Sequence, residues 1–220
     1  MNVDILIFAI IALVIAYRLY NTLGTVDDDE GVLVKKTGDT SNVINLDNDQ
    51  YEVAEDHMID EEEQKIIDSV DEESQKILRN MKVKDKNFMI KTFLSGAEKA
   101  FEIIIAAFVK GDKTALNNLT SKEMAKKFIN EFDKLQKLNR KISINIVAIV
   151  RNVIESVKIN NNIVRISVRL TSEQITVITD KDNKVVSGSK DQIEEIDDVW
   201  TFEKNINAKN NMWILSNTES

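Results

Sequence analysis

The chain contains no cysteine, so disulfides and thiolate chemistry are excluded, and the redox character of its compartment leaves no trace in it. Proline is also absent, while Asn, Ile and Lys are abundant, a bias of composition rather than a fold signal. Histidine occurs once, as His57, beside Asp56 and Met58 in an acidic stretch, where it reads as a surface residue rather than a base. No Gly-rich phosphate loop, nucleophile elbow or zinc-ligand spacing appears. The acidic runs Asp27–Glu30 and Asp60–Glu63 lack the alternating ligand spacing of a calcium loop. The expectation is therefore a protein with no catalytic constellation, no cofactor and no metal site.

What the chain does have is an uninterrupted apolar run near its start. Between Ile5 and Tyr17 there is no charge, and Asp4 and Arg18 flank the run at interface distance. About 17–25 residues suffice to cross a hydrocarbon core as a helix. Tyr17 and Tyr20 suit the interfacial belt, and Arg18 can reach back to it. A cleaved signal peptide would need a basic start and a small-x-small site, and neither is present. Residues 1–24 are therefore expected to be a single-pass anchor. Arg18, Lys35 and Lys36 follow the span and no Lys or Arg precedes it, which puts the N-terminus outside and the bulk of the chain on the cytoplasmic side.

The net charge of −8 hides a partition: residues 25–75 carry 18 acidic and 3 basic residues, whereas residues 76–220 carry 25 basic and 18 acidic ones. Segment 25–75 is expected to be an acidic, largely disordered tether, with weak helical periodicity over Asp60–Asn80. Segment 76–91 is expected to be a basic amphipathic helix. Its Lys76, Arg79, Lys82, Lys84, Lys86 and Lys91, interleaved with Ile77, Leu78, Met81, Phe88 and Met89, are candidates for contact with anionic lipid. The alternative is an ordinary solvated helix whose apolar side packs on the domain. Few aromatics accompany these cations, which argues against nucleic acid as a partner.

From Asn87 to Lys110 the spacing of Phe93, Ala97, Ala100, Phe101, Ile104, Ile105 and Phe108 predicts one long helix, stopped by Gly111. Asp112 and Ser121 are expected caps of two further helices. From Ile142 the period changes to two. Val164, Ile166, Val168 and Leu170 alternate with polar residues, Asn160–Asn162 is a turn, and Val199–Lys204 and Met212–Leu215 are further strands. Helices followed by an antiparallel meander predict an α+β domain with the helices on one face of the sheet.

Specific residues then become familiar. Phe93-Leu94, Gly96-Ala97 and Ala100-Phe101-Glu102, followed by Phe108, Lys110-Gly111-Asp112 and Leu116 to Ser121, resemble the opening of the Tim-forty-four-like domain. Asp198 to Phe202 with Lys204, and Trp213 with Leu215, resemble its close, so the resemblance spans residues 88–217. Asp4 to Ala9, Arg18-Leu19 and Leu23-Gly24 are similar to the N-terminus of the bacterial, TimA-type members of that family. The resemblance implies a cystatin-like fold of the nuclear-transport-factor-two type, with helices packed on a curved antiparallel sheet around an apolar pocket. It also implies residence in the bacterial inner membrane, contact with acidic lipid, and adaptor work in protein translocation or membrane-protein assembly. A heat-shock chaperone is a partner of the mitochondrial member, through a region that residues 25–75 do not match. Phe101, Ile105, Phe108, Trp200, Phe202 and Trp213 are the candidate pocket residues for a lipid tail or apolar peptide, against plain core packing for the tryptophans. Two other functions compete: a VirB8-like secretion-apparatus component, and a pocket enzyme of the isomerase or dehydratase type, for which Asp198 and Glu102 are the carboxylates at hand. Oligomeric state leaves no mark in the sequence.

Overall fold

The computed structural model describes residues 61–207 and 212–219. The expected anchor, the tether up to Asp60, His57 and the Asp27–Glu30 run lie outside the described residues. Among those described, no helix is long and apolar enough to cross a membrane.

Among the described residues, five helices precede five strands. Helix α1 (Glu61–Asp68) and helix α2 (Glu72–Lys84) replace the single helix expected over Asp60–Asn80. The break falls at Asp71, which is extended (φ −63°, ψ 160°) and caps α2 by accepting from the Ser74 N–H at 3.0 Å. Residues 61–75, expected to belong to a tether, therefore pack into the domain. Ile67 and Leu78 are fully buried in its main core. The basic stretch 76–91 is likewise not one helix. It ends at Lys84, turns through Asp85–Met89 and restarts as α3 (Ile90–Lys110), three residues later than expected from Asn87.

The caps further on fall where the residue types put them. Gly111 ends α3 in the left-handed region (φ 68°), and a Cβ there would stand 2.3 Å from the Phe132 ring. Asp112 caps α4 (Lys113–Leu119) by accepting from the Ala115 N–H, and Ser121 caps α5 (Lys122–Lys137) by accepting from the Met124 N–H.

Strands β1 (Lys141–Asn160) and β2 (Ile163–Thr179) form a long hairpin through Asn161 and Asn162. Both asparagines are left-handed (φ 48° and 63°), as a two-residue hairpin loop requires. Strands β3 (Val185–Gly188), β4 (Glu194–Asn205) and β5 (Ile214–Glu219) complete an antiparallel sheet ordered β1-β2-β4-β5, with β3 paired to the far end of β2. Register shifts at Ile146/Ala148, Ile149/Arg151 and Ile154/Ser156 mark bulges along β1, which bend the strand. The last strand starts at Ile214 rather than Met212, because Trp213 is drawn into a ring cluster instead of the ladder.

One face of the sheet is apolar and carries the helices. Val164, Ile166, Val168 and Leu170 of β2 meet Trp200 and Phe202 of β4 and, across the layer, Phe93, Ala97, Phe101 and Ile104 of α3. On the other face polar side chains pair across strands: Arg165 with Glu203 at 3.0 Å, Ser167 with Thr201 at 3.0 Å, and Arg169 with Asp197 and Glu155 at 2.8 Å each. Glu155 and Asp197 together hold the Arg169 guanidinium above its usual pKa, Glu155 contributing most. Ser121 N–H donates to the Leu215 carbonyl at 2.7 Å and ties the α4–α5 corner to β5.

Candidate functional site

The site grows from the turn that ends α2. Asp85 and Asn87 send the chain back, and Phe88 is buried at the start of the next element. Helix α3 then presents Phe93, and one turn later Gly96 and Ala97, towards the β4–β5 end of the sheet. A cavity of about 330 Å³ opens there, within the size range of natural ligand sites.

Four rings make its wall. Phe93 and Trp213 lie 4.8 Å apart, edge to face, with Phe88 6.3 Å from Trp213 and Phe202 6.1 Å from Phe93. Gly96 leaves the space open: nothing lies within 4 Å of where its Cβ would stand. This glycine therefore does not serve close helix–neighbour packing, as its size suggests; it is exposed and stands on the open side of the cavity. The rim is polar. Lys204 Nζ sits 3.7 Å from the Asp85 carboxylate and 5.7 Å from the centre of the Trp213 ring, and Asn87 and Thr92 complete the edge. An apolar chamber with a short polar rim can bury an apolar group while the rim hydrogen-bonds what stays outside.

The six candidate pocket residues divide. Phe202 and Trp213 line the cavity. Phe101 (1% exposed) and Trp200 (3%) do not: their rings stack edge to face at 4.8 Å inside the core. Ile105 packs on the same core, and Phe108 joins Leu135 and Ile178 in a second, smaller cluster, with its ring 5.8 Å from Phe128. Phe88, Phe93 and the Asp85–Lys204 pair are site residues that sequence reading did not assign to the cavity. Phe88 stood there as part of a basic helix, and only the chain reversal at Asp85 turns it inward. Asp198 and Glu102, the carboxylates considered for catalysis, do not line the cavity; Asp85 and Lys204 are its ionisable groups, and they pair with each other.

The six candidate lipid-contact residues divide as well. Arg79 pairs with Asp68 at 3.2 Å, Lys82 with Glu63, and Lys91 with Glu62. Lys76, Lys84 and Lys86 are exposed, and near the latter two Val83 (77% exposed) and Met89 (52%) are bare apolar side chains.

A layer of helices on a curved antiparallel sheet, with an aromatic cavity at one end, defines a domain of the α+β class. The chain belongs to the Tim44-like domain family, whose model matches residues 74–220. It is 25% identical to an uncharacterized protein of Rickettsia prowazekii (strain Madrid E), over 99% of this chain and 97% of that one. The crystal structure of the intermembrane space region of the chloroplast protein ARC6 is similar at a TM-score of 0.43 and 13% identity, covering 60% of this chain and 96% of that one. The family associates the chain with translocation-related adaptors, which work with membranes and with other proteins.

Proposed function

We propose that this protein is a membrane-anchored adaptor of translocation or membrane-protein assembly, and that its cavity takes an apolar segment of a protein partner. The carrying observation is the aromatic chamber between Phe88, Phe93, Phe202 and Trp213, kept open at Gly96 and rimmed by groups able to bond a peptide backbone. Residues 1–24 provide the anchor in the bacterial inner membrane, with the domain on the cytoplasmic side and the fold of the cystatin-like type. The exposed Lys76, Lys84 and Lys86, with Val83 and Met89, provide a second contact, to anionic lipid. A heat-shock chaperone is one candidate partner among translocation components.

A photo-crosslinking side chain placed at Thr92, on the cavity rim, tests the reading in the intact protein in its own membrane. A protein adduct of defined mass from Thr92, absent when the same group stands at Lys158 on the opposite sheet face, is the expected result. Adducts from both positions alike, or lipid adducts alone at Thr92, would overturn it. A topology reporter at Ser220 decides the orientation, and a C-terminus outside the cytoplasm would favour the secretion-apparatus alternative.

A further inference from the structure

The acid-rich helix α1 lies against the basic residues that the sequence offers to lipid. Three of its four carboxylates are engaged: Asp68 holds Arg79, Glu63 holds Lys82, and Glu62 holds Lys91. Glu63 is 2% exposed and also accepts from the Lys91 N–H at 3.3 Å, so it caps the first turn of α3, where Met89 has no side-chain cap to give. That same turn carries Thr92 and Phe93 of the cavity wall.

The attachment is nevertheless slight. An eight-residue helix is too short to persist alone, and its apolar hold on the core is two side chains, Ile67 fully buried and Ile66 partly so. Segments with few buried contacts are the first to open. Two of the three ion pairs are substantially solvated, at 42% and 56% side-chain exposure for Arg79 and Asp68, and 37% and 71% for Lys91 and Glu62. Such pairs are easily exchanged for other anions.

We infer that α1 is an intramolecular cover over the Arg79–Lys82–Lys91 cations, and that an anionic membrane surface displaces it. This rests on the proposed lipid contact. Phosphate head groups would replace Asp68 and Glu62 at the two solvated cations, Arg79 and Lys91, and the buried Lys82–Glu63 pair (20% and 3% side-chain exposure) parts only as the helix leaves. The same release takes the Glu63 carboxylate from the start of α3, which loosens the cavity wall when the domain reaches the membrane.

The chain has no native cysteine, so two labels report the opening in the full-length protein. Spin labels at Lys65→Cys on α1 and Asn80→Cys on α2 give the distance, and an environment-sensitive dye at Val83→Cys in a separate variant reports docking. Both are read in phosphatidylcholine vesicles with and without phosphatidylglycerol. The expected result is one short distance in neutral vesicles and a second, longer one in anionic vesicles, which high salt abolishes. Docking at Val83 with an unchanged distance would overturn the cover and leave the lipid contact standing. Absence of docking on either vesicle would overturn both. A long distance already present in neutral vesicles would mean that nothing is covered. The surface variant Glu62→Gln/Asp68→Asn should dock on anionic vesicles about three- to tenfold more tightly than the native chain; unchanged docking would also overturn the cover.

Discussion

Ser74→Ala removes one oxygen atom from a place where it serves two elements. Ser74 is buried, and its Oγ accepts from the Val157 N–H at 2.7 Å and donates to Asp71 Oδ2 at 2.6 Å, with the Val157 carbonyl at 3.3 Å as the alternative acceptor. Val157 lies on β1, the edge strand, where a backbone N–H without a ladder partner must find one elsewhere. Alanine leaves that N–H unpaired beside a buried side chain, a loss of about 1–3 kcal/mol. The α2 cap itself survives, because Asp71 Oδ1 still receives the backbone N–H of residue 74 at 3.0 Å. The variant should therefore lose about 2 kcal/mol in urea unfolding of the full chain in mild detergent, as a lower midpoint with unchanged slope. The Asp71 carboxyl, held below its usual range first by the Ser74 hydroxyl and then by the Ser74 N–H, should rise part of the way back in a carboxyl titration. A loss below about 0.5 kcal/mol, the range of an ordinary surface change, would show that Ser74 is not the partner Val157 depends on.

Three further outcomes follow from the geometry. Gly96→Ala should stabilise the fold by about 0.5–1 kcal/mol in thermal or urea unfolding, because the new Cβ meets nothing and alanine is the better helix former; a destabilised variant would mean that the space at Gly96 is not open. Gly111→Ala should cost about 2 kcal/mol, since it combines a left-handed backbone with a Cβ set 2.3 Å from the Phe132 ring; a neutral result would refute that contact. Asp71 is more acidic in the folded than in the unfolded chain, so its contribution to stability is present above its ordinary value of 3.8 and is lost as the pH falls through the lowered one. Acid unfolding of Asp71→Asn should lack this contribution, and identical acid limbs would contradict it.

The parts of the fold set by short-range chemistry were readable. The alternation from Val164 to Leu170, the Gly111 stop and the Asp112 and Ser121 caps each depend on neighbours a few residues away. The parts set by distant partners were not. Residues 61–75 read as tether because their carboxylates dominate the composition, yet Glu63 meets Lys82 and the Lys91 N–H, 19 and 28 residues on. The alternation in β1 fades after Ile146 because bulges there change which side chains face inward. At the site, size and aromaticity could nominate Trp200 and Trp213 equally. Only the register, which sets Trp200 opposite Val168 in mid-sheet and leaves Trp213 before the first rung of β5, separates core from cavity wall.

The claim that the cavity is the working surface is tested most directly by filling it. Gly96→Leu places an isobutyl group in the open space beside Phe93 and Trp213 while the helix backbone is unchanged. The yield of the protein adduct from the Thr92 crosslinker, measured in the native membrane with and without this substitution at matched protein levels and matched thermal stability, should fall by at least about tenfold, the loss expected when one well-packed apolar contact of about 1.4 kcal/mol or more is blocked. An adduct of the same mass at undiminished yield would mean that the partner binds elsewhere, and that the aromatic chamber is not what holds it.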